Sequence, residues 1–267
     1  MKKYLVIGNP IKHSLSPKLH NYWIKQNNLD AIYDNKKLGE SEVEGIITEV
    51  KSSKIDGINV TVPFKKSVIP FLDQLTPLAD EAQSVNTIFK KDNQVIGDNT
   101  DIEGFEYALQ HINYYVKNKR VFILGAGGVV PSIILALKRL GVSKIFLSNR
   151  TKEKAEALKK NHSNLEIIDW NQINQNPDFD IIINATSLGL QDNDQIELDY
   201  NKLKSNKLFY DVIYNPSKTN FLSNGEKLGN QIENGKMMFI YQAQLSFKIW
   251  HHVLPKIDNE TIKLLDI

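Results

Sequence analysis

The stretch VFILGAGGVVPSIILALKRLG, Val121 to Gly141, decides the fold. Val121 to Leu124 is a short, apolar, β-branched run of the kind buried in a parallel sheet. It breaks at Gly125-Ala126-Gly127-Gly128 and then turns helical, with Ile133, Ile134, Leu137 and Leu140 at helix spacing and Gly141 as the stop. Strand, glycine turn and helix in that order make a phosphate cradle. Glycine lets the backbone come close to a pyrophosphate, and the free N–H groups of the helix start face its charge. Gly125, Ala126, Gly127, Gly128 and Val129 are therefore candidate cofactor-binding residues. Val130 stands where the usual dinucleotide pattern has a third small residue, so the helix either tolerates a larger side chain or sits further out.

Downstream, Lys144 to Ser148 reads as a second strand ending in Asn149-Arg150-Thr151. In a fold that binds NAD, an acidic side chain at this strand end holds the ribose 2′-hydroxyl, and none stands here. Arg150 does, with Lys152 and Lys154 beyond it, an arrangement suited to the extra 2′-phosphate of NADP. The chain has three arginines against 30 lysines, which makes a guanidinium at this place informative. Asp180 to Asn184 and Leu208 to Val212 read as further strands. Ala185-Thr186-Ser187 is small and polar at a strand end, and Gln191 to Leu198 reads as a loop.

The 267 residues suffice for two domains or one large α/β domain, with an ordinary composition for a globular protein. The chain has no cysteine, which excludes thiol nucleophiles and thiolate metal sites. Its six histidines are scattered, so no metal is expected. A net charge of +2 without a basic stripe argues against nucleic acid, and no run approaches the ~20 apolar residues of a membrane span. MKKYLVIGNP is too short for a signal-peptide core, and a cytoplasmic protein is expected.

Towards the N-terminus, Lys3 to Gly8 reads as a first strand. Ser16 before Pro17 reads as the cap of a helix to about Asn27, and Ser14 and Ser16 could together seat a carboxylate. A strand near Ala31 to Lys36 and a helix near Glu40 to Ser52 follow. Residues Ile55 to Val62 alternate like a strand that Pro63 ends, so Asn59, Thr61 and Lys65 cluster where a strand hands over to a helix. Further on come a helix near Pro77 to Gln83, a hairpin turning at Lys91 to Gln94, and a helix to about His111 capped by Asn99 or Thr100. Asp101 in its first turn complements the helix dipole whether or not it has another role.

Four motifs, Ser14-Leu15-Ser16-Pro17, Asn59-Val60-Thr61-Val62-Pro63-Phe64-Lys65, Val85-Asn86-Thr87 and Gly97-Asp98-Asn99-Thr100-Asp101, resemble in order the signatures of the shikimate dehydrogenase family. The glycine turn and the later segments continue the resemblance over nearly the whole chain. It implies reversible reduction of 3-dehydroshikimate to shikimate with NADPH. Lys65 would be proton donor in reduction and base in reverse, and Asp101 would orient it. Ser14 and Ser16 would take the ring carboxylate, and Asn59, Thr61, Asn86, Asp101 and Gln242 the ring hydroxyls. The Tyr214 hydroxyl would also reach substrate. Asn149, Arg150, Thr151, Lys154, Thr186, Val212, Gly235 and Met238 would join the glycine turn in holding the cofactor.

The expected architecture is an α/β substrate domain with a mainly parallel sheet, residues 1–114, completed by C-terminal helices in 234–267. A Rossmann-type doubly wound NADP domain occupies 115–233. The expected assembly is a monomer or homodimer. A quinate- or aminoshikimate-type paralogue and a non-catalytic NADP-binding regulator remain as alternatives.

Overall fold

The structure, a computed structural model, describes residues 1–160, 162, 164–175, 178–191 and 194–266. The fold is mixed α/β, divided into two compact units, Met1–Phe105 with Phe239–Ile267, and Glu106–Met238. Positions 192 and 193 of the expected 191–198 loop, and the terminal Ile267, lie outside the described residues.

The first unit holds strands β1 (Lys2–Gly8), β2 (Ala31–Lys37), β3 (Gly57–Val60), β4 (Gln74–Leu75), β5 (Thr87–Lys91) and β6 (Gln94–Asp98). They form one sheet in the order β2-β1-β3-β5-β6-β4. β2, β1 and β3 run parallel, while β5 is antiparallel to both β3 and β6. The hairpin turns through Asp92 (φ 47°) and Asn93 (φ 66°), two residue types that tolerate the left-handed backbone a two-residue turn demands. Helices α1 (Ser16–Gln26), α2 (Val43–Lys51), α3 (Pro77–Ala82) and the start of α4 (Thr100–His111) connect the strands. One core on this sheet buries Ile7, Ile46, Val50, Ile58, Phe64 and Ile88.

The second unit holds β7 (Arg120–Leu124), β8 (Lys144–Ser148), β9 (Leu165–Ile167), β10 (Ile181–Asn184), β11 (Leu208–Asp211) and β12 (Gln231–Glu233). Helices α5 (Val130–Arg139), α6 (Lys152–Lys159) and α7 (Asn220–Lys227) lie between them. The strand order is β12-β11-β10-β7-β8-β9 and every pair is parallel, so the order reverses between β7 and β10. In such sheets ligands bind beyond the strand ends at the reversal, because two loops diverge there and leave a crevice. Val130 is fully buried, so α5 packs with the larger side chain in place. Helix α8 (Lys236–His251) begins in this unit and continues in the first, which α9 (Asn259–Lys263) also joins.

Two local expectations are corrected. Ser16 is the first helical residue and not the cap: the preceding Leu15 (φ −86°, ψ −3°) has helical torsions and makes no side-chain cap. The Ser14 hydroxyl instead accepts the Ser16 N–H at 3.3 Å. Second, no α-helix follows Pro63, and a one-turn 3₁₀ helix comes only at Ile69–Phe71. Successive turns hold residues 61–69, with Phe64 N–H donating to Thr61 O and Val68 N–H to Phe64 O, and β3 ends at Val60. A turn serves because it brings Lys65 back, within a few residues, against the segment that leads into β5, where Val85 N–H donates to Lys65 O at 2.8 Å.

Candidate active site

In the first unit the site begins at the end of β3. Asn59 is buried with 6% of its surface exposed, and Thr61 follows it with its N–H on Ile7 O. The turn after Pro63 carries Lys65, also buried, whose Nζ donates to Asp101 Oδ2 at 2.6 Å. Both side chains are about nine-tenths shielded, at 11% and 8% exposure. A buried ion pair of this kind is held by mutual attraction, and removing either partner strands a charge. Asp101 is set by the start of α4: its N–H reaches Asn99 Oδ1 at 3.1 Å, while Asn99 Nδ2 is tied to Ser84 O at 2.7 Å.

Beside that pair runs a neutral network. Asn86 Oδ1 accepts the Thr100 N–H at 2.8 Å, and Asn86 Nδ2 donates to Thr100 Oγ1 at 2.9 Å and Gln242 Oε1 at 3.4 Å. Gln242 Nε2 donates to Phe239 O at 2.9 Å. Gln242 comes this close because α4 carries Gly104, where a Cβ would stand 2.9 Å from the Gln242 Cβ and N. One helical turn on, Ser246 is fully buried, donates to Gln242 O and accepts from Asn59 Nδ2 at 3.0 Å. Among the sequence-derived residues, Asn59, Lys65, Asn86, Asp101 and Gln242 are thus joined through hydrogen bonds and the short segments between them. Ser16 is linked in through Tyr33, whereas Ser14 is half-buried at the start of α1. Tyr33 and Ser246 were not singled out from the sequence, and Thr87 was read only as part of the Val85-Asn86-Thr87 motif. Ser246 could have been, since it lies four residues after Gln242 on one helix face.

In the second unit the ends of β7 and β10 carry a second set of candidate residues. Gly125 has φ 106°, and a Cβ there would lie 2.6 Å from Ala185 O, so only glycine fits. A Cβ on Gly127 would meet only Ala185 O, at 3.8 Å. The fold itself does not require that glycine, and its bareness leaves room at the start of α5 for a phosphate. Ala126 N–H donates to Asn149 Oδ1 at 3.0 Å, fastening the turn to the end of β8. Arg150, Thr151 and Lys154 are exposed, and Arg150 makes no ion pair among the described residues. Arg150 lines a cavity of about 330 Å³ with Asn149, Lys152, Ile168, Asp169 and Trp170. These features fit a pyrophosphate at the glycine turn and a further phosphate at Arg150.

The loops after β10 and β11 are locked to each other. Thr186 donates through N–H and Oγ1 to Asn184 Oδ1, at 3.0 and 2.7 Å. Asn184 Nδ2 donates to the Asp211 carboxylate at 3.1 Å, which also accepts Thr219 Oγ1 at 2.6 Å and Ile213 N–H at 3.0 Å. Burial without a cation pushes the Asp211 carboxyl up to about 6, against the pull of these three donors. Val212 follows it, and Gly235 lies so close that a Cβ would stand 2.1 Å from Val212 O. Met238 is buried, and burial pushes the Tyr214 phenol up to about 12. The sequence pattern missed the Asn184–Asp211 lock.

Comparison with known proteins finds a family match in each unit. Residues 6–88 match the shikimate dehydrogenase substrate binding domain, and residues 106–214 match the shikimate / quinate 5-dehydrogenase family. The chain is 58% identical over 266 residues to the shikimate dehydrogenase (NADP(+)) of Pelagibacter ubique, covering 100% of this chain and 99% of that one. Its fold is similar to the crystal structure of shikimate dehydrogenase from Aquifex aeolicus, with a TM-score of 0.90 at 34% identity over 100% of this chain and 97% of that one. A shikimate dehydrogenase crystallised with NADP+ gives a TM-score of 0.91 at 34% identity, covering 100% and 95%.

Proposed function

The chain belongs to the shikimate dehydrogenase family, and from that premise we propose how its own residues share out the reaction. The protein catalyses the reversible NADPH-dependent reduction of 3-dehydroshikimate to shikimate. NADPH, when bound, supplies the hydride for the ketone carbon. The chain must then hold the ring, polarise the carbonyl and deliver a proton to its oxygen.

The observation that carries the assignment of the proton is the buried 2.6 Å contact between Lys65 and Asp101. The Lys65 ammonium donates to the ketone oxygen in reduction, and its amine takes the hydroxyl proton in oxidation. Asp101 fixes the direction of Nζ and balances its charge where water cannot. Ser14 and Ser16 receive the ring carboxylate. Asn59, Thr61, Asn86, Asp101 and Gln242 read the ring hydroxyls, and Tyr214 adds a further hydroxyl. Such a set discriminates sharply, since a ligand lacking a hydroxyl leaves buried polar groups unpaired.

Gly125 to Val129 hold the pyrophosphate, and Asn149, Arg150, Thr151 and Lys154 hold the 2′-phosphate. Thr186, Val212, Gly235 and Met238 line the nicotinamide end. We assign the substrate domain to residues 1–114 with 234–267 and the cofactor domain to 115–233. The protein works in the cytoplasm as a monomer or homodimer. Among the described residues no helix is long and apolar enough to cross a membrane.

The test is absorbance at the NADPH band with purified protein, run with shikimate or quinate and with NADP⁺ or NAD⁺. Signal with shikimate and NADP⁺, and much less with the other pairs, is the expected result. Preference for quinate would move the protein to the quinate branch of the same family. Preference for NAD⁺ would remove the role given to Arg150.

A further inference from the structure

Asn59 sits in a hydrogen-bond pattern that leaves it one kind of opening. Its Nδ2 faces three oxygens: Asn86 O at 3.1 Å, Thr87 Oγ1 at 3.2 Å and Ser246 Oγ at 3.0 Å. Asn86 O is a backbone carbonyl and can only accept, so the amide atom facing it must be the nitrogen, and the orientation is fixed. Two amide hydrogens are already shared among three acceptors. On the other side Asn59 Oδ1 receives the Tyr33 hydroxyl at 2.7 Å. What is left of the Asn59 side chain is one lone pair on Oδ1.

Tyr33 is held to this task from three sides. Its backbone is gripped by Asn21 of α1, with Asn21 Nδ2 donating to Tyr33 O at 2.7 Å and Tyr33 N–H donating to Asn21 Oδ1 at 3.0 Å. Its ring lies flat on His20, with centroids 4.2 Å apart and planes 5° apart, and tilts against Trp250 at 6.1 Å. His20 is itself fully buried, so the stack cannot slide into water. At the hydroxyl, burial pushes the phenol well above its ordinary range, while the Ser16 side chain pulls the other way. Tyr33 therefore stays a donor, and its single hydrogen goes to Asn59.

We propose that Asn59 is held as an acceptor-only group, its amide turned by Asn86 O and its Oδ1 aimed by Tyr33 as a positioning residue, so that the site selects a ring substituent bearing a hydrogen over one that can only accept. The inference rests on Asn59 contacting substrate, as assigned above. A hydroxyl satisfies the remaining Oδ1 lone pair. A fluorine or a methyl ether in its place brings a second acceptor against it, and the fixed amide cannot turn to offer a hydrogen.

The experiment compares shikimate with analogues in which each ring hydroxyl not oxidised in the reaction is replaced in turn by fluorine or methoxy. NADP⁺-dependent rates are measured for wild type and Tyr33→Phe. Wild type is expected to reject both replacements at one ring position by at least about 100-fold in kcat/KM. Fluorine separates the hydrogen-bond effect from the bulk of methoxy. In Tyr33→Phe the amide loses the donor that engaged Oδ1. The expected result is about a tenfold loss of kcat/KM for shikimate, carried mainly by KM, with the KM for NADP⁺ unchanged and discrimination against fluorine reduced about tenfold.

Equal losses for shikimate and the fluoro analogues, or an unchanged discrimination ratio, would overturn the proposal and leave Tyr33 a packing residue. If Tyr33→Phe does not fold, the wild-type series decides, because tolerance of fluorine at every position also overturns it. Absence of any shikimate oxidation by wild type would instead overturn the functional reading itself, a different result from turnover without discrimination.

Discussion

The two units handle buried charge in opposite ways. In the first, Asp101 faces Lys65 at 2.6 Å, and the pair is neutral as a whole. In the second, Asp211 is fully buried and held by neutral donors, Thr219, Asn184 and the Ile213 N–H. The difference follows from what each must do. A site that moves a proton needs a charged donor kept poised by its counter-charge. A site that receives a large cofactor needs loops fixed relative to one another, and a carboxylate with three donors is a compact fastener. The same division runs through the remaining residues: the first unit presents side chains, and the second presents a glycine turn whose backbone is left bare at Gly127.

The largest test of this contrast is Lys65→Ala, expected to lower kcat by about 10³-fold with little change in KM for shikimate, in line with the loss of a positioned general acid. Steady-state kinetics with NADP⁺ in excess reads it. Comparable losses in kcat and gains in KM would make Lys65 a binding residue and dissolve the distinction drawn between the units. Lys65→Ala also strands Asp101, so an unfolding curve on the same sample separates stability from chemistry.

Next comes Asp211. Its folded value is raised from 3.8 to about 6, so the folded state holds the proton more tightly than the unfolded one. Stability therefore rises as pH falls through 6 towards 4, and is lost as pH rises back through 6, by about 3 kcal/mol at most. Glu233, on the neighbouring strand and pushed up to about 7 by burial, shifts stability in the same direction, while Tyr200 and Tyr210 stay neutral throughout. The difference in urea midpoint between wild type and Asp211→Asn, followed from pH 7 to 4.5, isolates the Asp211 part. A difference that does not change with pH would mean that Asp211 is not the titrating group.

Gly125→Ala should weaken NADP⁺ binding by at least about tenfold, because the φ of 106° and the Ala185 carbonyl both oppose a Cβ. Shikimate binding, measured separately by calorimetry, should not move. The smallest effect is at exposed Arg150. Arg150→Gln should raise KM for NADP⁺ about tenfold while leaving KM for NAD⁺ nearly unchanged, since only one of the two carries the phosphate it would grip. Equal rises for both would mean Arg150 contacts a part of the cofactor common to the two.

Legibility from sequence follows the same line between backbone and side chain. The glycine turn could be read because strand, turn and helix are local patterns: Lys144–Ser148 is β8 to the residue. Helix starts were less legible, and Ser16 misled because a good capping residue sat one position inside a helix that begins without a side-chain cap. Pro63 was read as a boundary but not as the entry to a run of turns, since proline suits both. Short strands such as Gln74–Leu75 and Gln231–Glu233 are too brief to show a period. Tyr33 was invisible for another reason. The strand that carries it could be predicted, but its bond to Asn59 spans 26 residues and leaves no local trace. The same is true of Asn184 and Asp211, which are 27 residues apart.

The grip of Asn21 on Tyr33 has a second effect. β2 is the outermost strand of its sheet, and an outermost strand offers its unpaired N–H and C=O groups to any passing extended chain. The side-chain amide of Asn21 has the same donor and acceptor as a peptide bond, and it meets the Tyr33 N–H and C=O as a neighbouring strand would. At that residue the ladder is already closed by the protein itself, and Lys36 and Lys37 crowd the far end of the strand with like charge. Asn21→Ala would therefore be expected to increase self-association at high concentration, by reopening the sheet to a second copy of the chain.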